Sequence, residues 1–139
     1  MARKGLSPQI KDPNKLCLCV RRRYLDYIEG CKAEGISLVL IETLRALDRQ
    51  KHYKRIGVSW TLDSKHLPQP PHDLALAFDV VPKDYIREPE WRPTGVLWTT
   101  MRHVARRLGL IVGAPWPRDK GHNYLRKCLC AEDAQEPAA

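Results

Sequence analysis

The stretch LALAFDVV, residues 74–81, constrains this chain more than any other. Aliphatic and β-branched side chains dominate it, so it reads as a buried strand. Alternation places Leu74, Leu76, Phe78 and Val80 on one face and Ala75, Ala77, Asp79 and Val81 on the other. The first face reads as core. The second holds two small residues and then a carboxylate, which leaves a groove beside Asp79. A buried carboxylate without a partner is costly or neutralises, so Asp79 calls for a cation. Two histidines, His66 and His72, precede it in SKHLPQPPHD, and their presence points to a metal.

The chain around this strand reads as one compact α+β domain. At 139 residues it is long enough to bury roughly two-thirds of its unfolded surface without disulfide staples. Residues 1–14 read as a loose arm. Cys17, Val20, Tyr24, Tyr27 and Cys31 recur at helical spacing, and Gly35 ends that helix. ISLVLIET reads as a strand and LRALDRQKHYKRIG as a short helix. VLWTTMRHVARRLG is a helix with Leu97, Met101, Val104, Ala105 and Leu108 on its apolar face. GLIVGAPWPRDKGHNYLRKCLC is turn-rich and ends in a short strand, and AEDAQEPAA reads as a disordered tail. The expected architecture is a small antiparallel sheet flanked by helices, with a metal site in a groove on the sheet. The expected domain spans 1–139, with its core at about 16–127.

Charge and cysteine usage bound the function. The formal net charge is +8, which suits an anionic partner such as a bacterial wall or nucleic acid. Arg21–Arg23, Arg102, Arg106 and Arg107 would carry a nucleic-acid reading, but no aromatic-basic RNA motif or helix-turn-helix signal accompanies them. No apolar run approaches the length of a membrane span, and no apolar segment follows the basic N-terminus as in a secretory signal. Five cysteines, an odd count, read as reduced thiols. The pairs Cys17/Cys19 and Cys128/Cys130 invite a metal, although structural zinc cysteines more often sit two to four residues apart.

A second polar cluster lies at WPRDKGH, where Asp119 and His122 are three apart. A hydrolytic zinc site needs three protein ligands, an open position for water and a carboxylate beside that water. One upstream histidine, Asp79 and His122 supply the ligands, and Asp119 the base. Two histidines and a carboxylate also suit other divalent metals. On the residues alone, Asp79 pairing with an arginine and Asp119 serving as a turn residue remain open readings.

Taken together, IETLRALDRQ with Arg45 and Gln50, HDLALAFD with His72 seven residues before Asp79, and LGLIVGAPWPRDKGH with Trp116, Asp119 and His122 resemble a known family. It is the zinc peptidases of bacterial cell-wall peptides: D-alanyl-D-alanine carboxypeptidases and the L-alanyl-D-glutamate endopeptidases found as phage endolysins. Their pattern is S-x-H-x-x-G-x-A-x-D, then a helix, W-G-G-x-W and D-x-x-H. The chain departs from it at Ala75, Val112, Ala114 and Gly121. Ser64-Lys-His66 matches the S-x-H half, while His72 has the right distance to Asp79.

The resemblance implies zinc held by His72, Asp79 and His122. It makes Asp119 the proton carrier and Arg45 the binder of a substrate carboxylate or oxyanion. Gln50 and Trp116 would line the substrate groove. His72 is favoured over His66 because Pro70-Pro71 is expected to form an extended lead-in to the strand. His66 is then expected beside the substrate. The implied function is a zinc metallopeptidase of peptidoglycan stem peptides, most simply a monomeric phage-type L-alanyl-D-glutamate endopeptidase. It would be made in the host cytoplasm, act on the anionic wall, and need no nucleic acid. The rivals are a D-alanyl-D-alanine carboxypeptidase and a non-catalytic, zinc-stabilised basic binding module.

Overall fold

A computed structural model describes residues 5–56, 64–83, 96–113 and 121–135. Four strands form one sheet in the order β1-β2-β4-β3: β1 (Leu38–Glu42), β2 (Ala77–Pro82), β3 (Ile111–Val112) and β4 (His122–Tyr124). All pairings are antiparallel. The helices are α1 (Leu18–Ala33), α2 (Leu47–Arg55), α3 (Val96–Arg107) and α4 (Cys130–Gln135). This is the expected α+β arrangement of a small antiparallel sheet with flanking helices.

The apolar stripes explain the packing. Val20, Tyr27 and Cys31 of α1 are buried, and Trp98, Met101, Val104 and Ala105 of α3 pack into the same core. Both helices end where glycines adopt positive φ, Gly35 at 81° and Gly109 at 79°. Gly30 lets α1 and α3 approach closely, because a Cβ there would lie 2.7 Å from a Val104 methyl. Phe78 and Val80 project from β2 into this core, as the alternation demands. Tyr24 meets Phe78 edge-on with ring centroids 5.0 Å apart, and Tyr27 meets it at 5.6 Å.

Three expectations are corrected. The arm is not loose over its described residues: Thr43 N donates to Ile10 O at 2.7 Å, and Ser7 N donates to the Asp48 carboxylate at 2.7 Å. The tail is not disordered over residues 130–135. It forms α4, held to α1 by a two-pronged Arg23–Asp133 pair at 2.7 and 2.9 Å. Pro70-Pro71 is not an extended lead-in. The bond between the two prolines is cis and lies in a turn.

Two measurements check these contacts. Phe78 is fully buried against two tyrosines, so Phe78→Ala should lower unfolding free energy by about 3–5 kcal/mol in urea titrations, with the fold retained. The Arg23 pairing holds the Asp133 carboxyl below its ordinary value. The stability it adds is therefore present above about pH 3.9 and lost as pH falls through the lowered folded value. Asp133→Asn should flatten that part of the acid-unfolding curve.

Candidate metal centre

Asp79 and His122 are direct cross-strand partners on β2 and β4. Their side chains therefore leave the same face of the sheet. His122 Nδ1 lies 2.7 Å from Asp79 Oδ1. The register relies on Gly121, since a Cβ there would come within 2.1 Å of the Val80 carbonyl oxygen.

The third member is His66, not His72. The segment 64–76 doubles back on itself: Leu76 N donates to Lys65 O at 2.8 Å, and Gln69 N to Leu74 O at 3.0 Å. Arg45 N then donates to His66 O at 2.7 Å and fixes the base of the loop against the end of β1. His66 is thereby brought under Asp79, with Nε2 3.0 Å from Asp79 Oδ1. His72 sits on the exposed turn, where its Nδ1 is 3.4 Å from Cys17 Sγ. Sequence distance favoured His72 because it assumed an extended approach to the strand, and the chain turns instead.

The donor set fits a metal ion. His66 is 1% exposed, and its Nδ1 lies 2.6 Å from the Thr43 carbonyl oxygen. A carbonyl can only accept, so Nδ1 carries the hydrogen and Nε2 presents its lone pair when the ring is neutral. That Nε2 is buried and makes no hydrogen bond among the described residues, although it faces the Asp79 carboxylate. Metal-binding histidines are commonly oriented in this way, by a backbone carbonyl on the far nitrogen. His66, Asp79 and His122 offer ligand atoms all within 4.8 Å of one another. A tetrahedral ion bonded at about 2.0–2.1 Å holds such atoms about 3.3 Å apart, a few tenths wider than the contacts of 2.7 and 3.0 Å. Burial pushes the Asp79 carboxyl up, but the two histidines outweigh burial and hold it well below the usual carboxylate range.

Beside this centre lies a buried ion-pair network that the sequence reading only half anticipated. Arg45 is 8% exposed, and its Nη2 stands 3.9 Å from Asp79 Oδ2. Its Nε donates to Glu42 at 3.0 Å and its Nη1 to Gln50 Oε1 at 2.6 Å. The guanidinium also lies 4.6 Å above the Tyr53 ring. Gln50 is fully buried and holds Arg45, which corrects its placement in the substrate groove. His66 is likewise removed from the groove lining. Glu42 was missed. It is 2% exposed, pairs in register with Asp79, and lies 3.6 Å from Arg49 Nε through its second oxygen. Its only trace in the sequence is one acid at the end of the apolar run ISLVLIE. Trp116 and Asp119 lie outside the described residues.

A second group of ligand-type side chains stands apart from the first: Cys17, His72, Cys128 and Cys130. No family model and no curated protein matches the sequence. Among solved structures, one similar chain is the L-Ala D-Glu endopeptidase ChiX of Serratia marcescens. The two superpose with a TM-score of 0.52 and 24% identity, covering 81% of this chain and 82% of that one. They share a fold.

Removing Glu42 should test the network. Glu42→Ala leaves the buried Arg45 without its carboxylate, so unfolding free energy should fall by about 3–5 kcal/mol in chemical denaturation. Glu42→Gln, which keeps the shape and loses the charge, should fall between this variant and the parent.

Proposed function

We propose that the chain is a zinc metallopeptidase of peptidoglycan stem peptides, with His66, Asp79 and His122 as the metal ligands. The observation that carries this reading is the buried Nε2 of His66, held 3.0 Å from the Asp79 carboxylate that also meets His122. Three nitrogen and oxygen ligands leave a coordination position open, the arrangement of a hydrolytic site and not of a purely structural one. A zinc ion held there supplies Lewis-acid polarisation of a carbonyl and a more acidic water.

The chain's own residues divide the remaining work. The Thr43 carbonyl fixes the His66 tautomer. Asp79, kept ionised, neutralises part of the metal charge and aligns both histidines. Asp119, three residues before His122, is assigned as the group that takes a proton from water and returns it to the leaving amine. Arg45 is assigned as a positioning cation for Asp79, because Glu42 and Gln50 already engage its guanidinium. Trp116 is assigned to the substrate groove.

The substrate assignment rests on the fold shared with an L-Ala D-Glu endopeptidase and on the family pattern. Cleavage after L-Ala is therefore preferred over removal of a terminal D-Ala. The net charge of +8 suits attraction to an anionic wall, as in a phage-type endolysin acting on the cell wall after synthesis in the host cytoplasm. Among the described residues, no helix is long and apolar enough to cross a membrane.

Digestion of purified muropeptides followed by mass analysis tests the reading. The parent should release products cut between L-Ala and D-Glu. Asp119→Ala should slow this by about 10²–10⁴-fold. His66→Ala should lose both activity and the hydrolytic zinc, while His72→Ala should keep the capacity to cut. Stem peptides left intact by the parent with zinc present would sink the proposal.

A further inference from the structure

The four side chains Cys17, His72, Cys128 and Cys130 come from three distant parts of the sequence. Cys17 precedes α1, His72 sits on the turn of the 64–76 loop, and the two other cysteines lead into α4. The backbone fixes each approach. Cys17 N donates to Ala75 O at 2.9 Å and Ala75 N to Lys15 O at 3.0 Å, so the start of α1 lies alongside the loop. The Arg23–Asp133 pair draws α4 onto α1. Leu129 N donates to Cys19 Sγ at 3.4 Å, and Cys130 N to Cys128 Sγ at 3.5 Å.

The four ligand atoms lie within 4.8 Å of one another, and four of their six spacings match the edges of a tetrahedron around one ion. Cys17 Sγ lies 3.6 Å from Cys128 Sγ, 3.5 Å from Cys130 Sγ and 3.4 Å from His72 Nδ1. Cys128 Sγ is 3.7 Å from His72 Nδ1. Zinc bonded to sulfur at about 2.3 Å and to nitrogen at about 2.0–2.1 Å sets tetrahedral edges of about 3.5–3.8 Å. A disulfide would bring two sulfurs to about 2.05 Å, and all five cysteines are free. Soft thiolates favour zinc over calcium or magnesium, and four protein ligands leave no open position.

We infer that Cys17, His72, Cys128 and Cys130 form a second, structural zinc site that ties the C-terminal helix and the start of α1 to the tip of the 64–76 loop. The inference stands independently of the peptidase reading, since no residue is shared between the two centres. It gives His72 a role and explains why this histidine sits among sulfurs and not beside Asp79.

The full chain, purified under reducing conditions, should bind two equivalents of zinc. Titrated with cobalt(II) in place of zinc, it should develop thiolate-to-cobalt charge-transfer absorption in the near ultraviolet, which His66, Asp79 and His122 cannot produce because they lack sulfur. Cys128→Ser/Cys130→Ser should lose that absorption and one equivalent of metal. His66→Ala should keep the absorption and lose the other equivalent. Should the serine variant fail to fold, the parent alone still reports. Zinc should protect Cys128 and Cys130 from alkylation, mapped by peptide mass, and a chelator should abolish the protection. No charge-transfer band with cobalt, equal alkylation with and without zinc, or isolation of Cys17 as a disulfide would each overturn the inference. Failure of muropeptide cleavage would leave these results untouched and would count against the peptidase reading alone.

Discussion

Two carboxylates side by side in a sheet are the constraint on which the rest of this structure depends. Glu42 and Asp79 face each other across β1 and β2, and like charges in that position repel. Glu42 is 2% exposed and Asp79 only partly buried, so Glu42 above all needs nearby positive charge or strong donors. Arg45 stands between them, bonded to Glu42 and 3.9 Å from Asp79. His66 and His122 take the other side of Asp79. Glu42 thus consumes much of the arginine, which leaves the Asp79 carboxylate chiefly to the histidines.

Long periodic elements were legible in the sequence with their extents, whereas of the shortest strands only one was expected, without bounds, at the end of a turn-rich region. The stripes of α1 and α3 and the run of β2 carry enough residues for period to show. β3 has two residues and β4 three, too few for any alternation to register. α4 reads CAEDAQ, which is polar and short. What holds α4 is a tertiary contact, the Arg23–Asp133 pair, and local sequence carries no trace of it. The same limit governs the metal centre. Asp79 and His122 were legible from residue type, because a carboxylate in an apolar strand demands a partner. The choice between His66 and His72 was not, because it depends on where a proline-rich loop turns. Separation along the chain bounds reach but does not set direction. The hydrogen bond from Leu76 to Lys65 decides it.

The cysteines show the complementary failure. Reading Cys17/Cys19 and Cys128/Cys130 as two local pairs hides the grouping that the fold makes. Cys19 accepts a backbone hydrogen bond from Leu129, while Cys17 joins the distant pair. A ligand set drawn from the two ends of the chain and one internal loop has no contiguous spacing to detect.

The 64–76 loop links the two centres physically. His66 at its base belongs to the nitrogen and oxygen group, and His72 at its turn to the sulfur-rich one. The two groups differ in chemistry, one of nitrogen and oxygen ligands and one rich in sulfur. As proposed, three harder ligands would leave a position for substrate chemistry, whereas three cysteines and a histidine would close the shell around an ion. Turns close this proline-rich loop: Leu67 N donates to Ser64 O, Asp73 N to Gln69 O and Gln69 N to Leu74 O. Its tip is exposed, and its base must place Nε2 of His66 within a few tenths of an ångström. One short segment of chain thus carries a histidine of each ligand group, so the two proposed centres are joined by their geometry and not by a shared ligand.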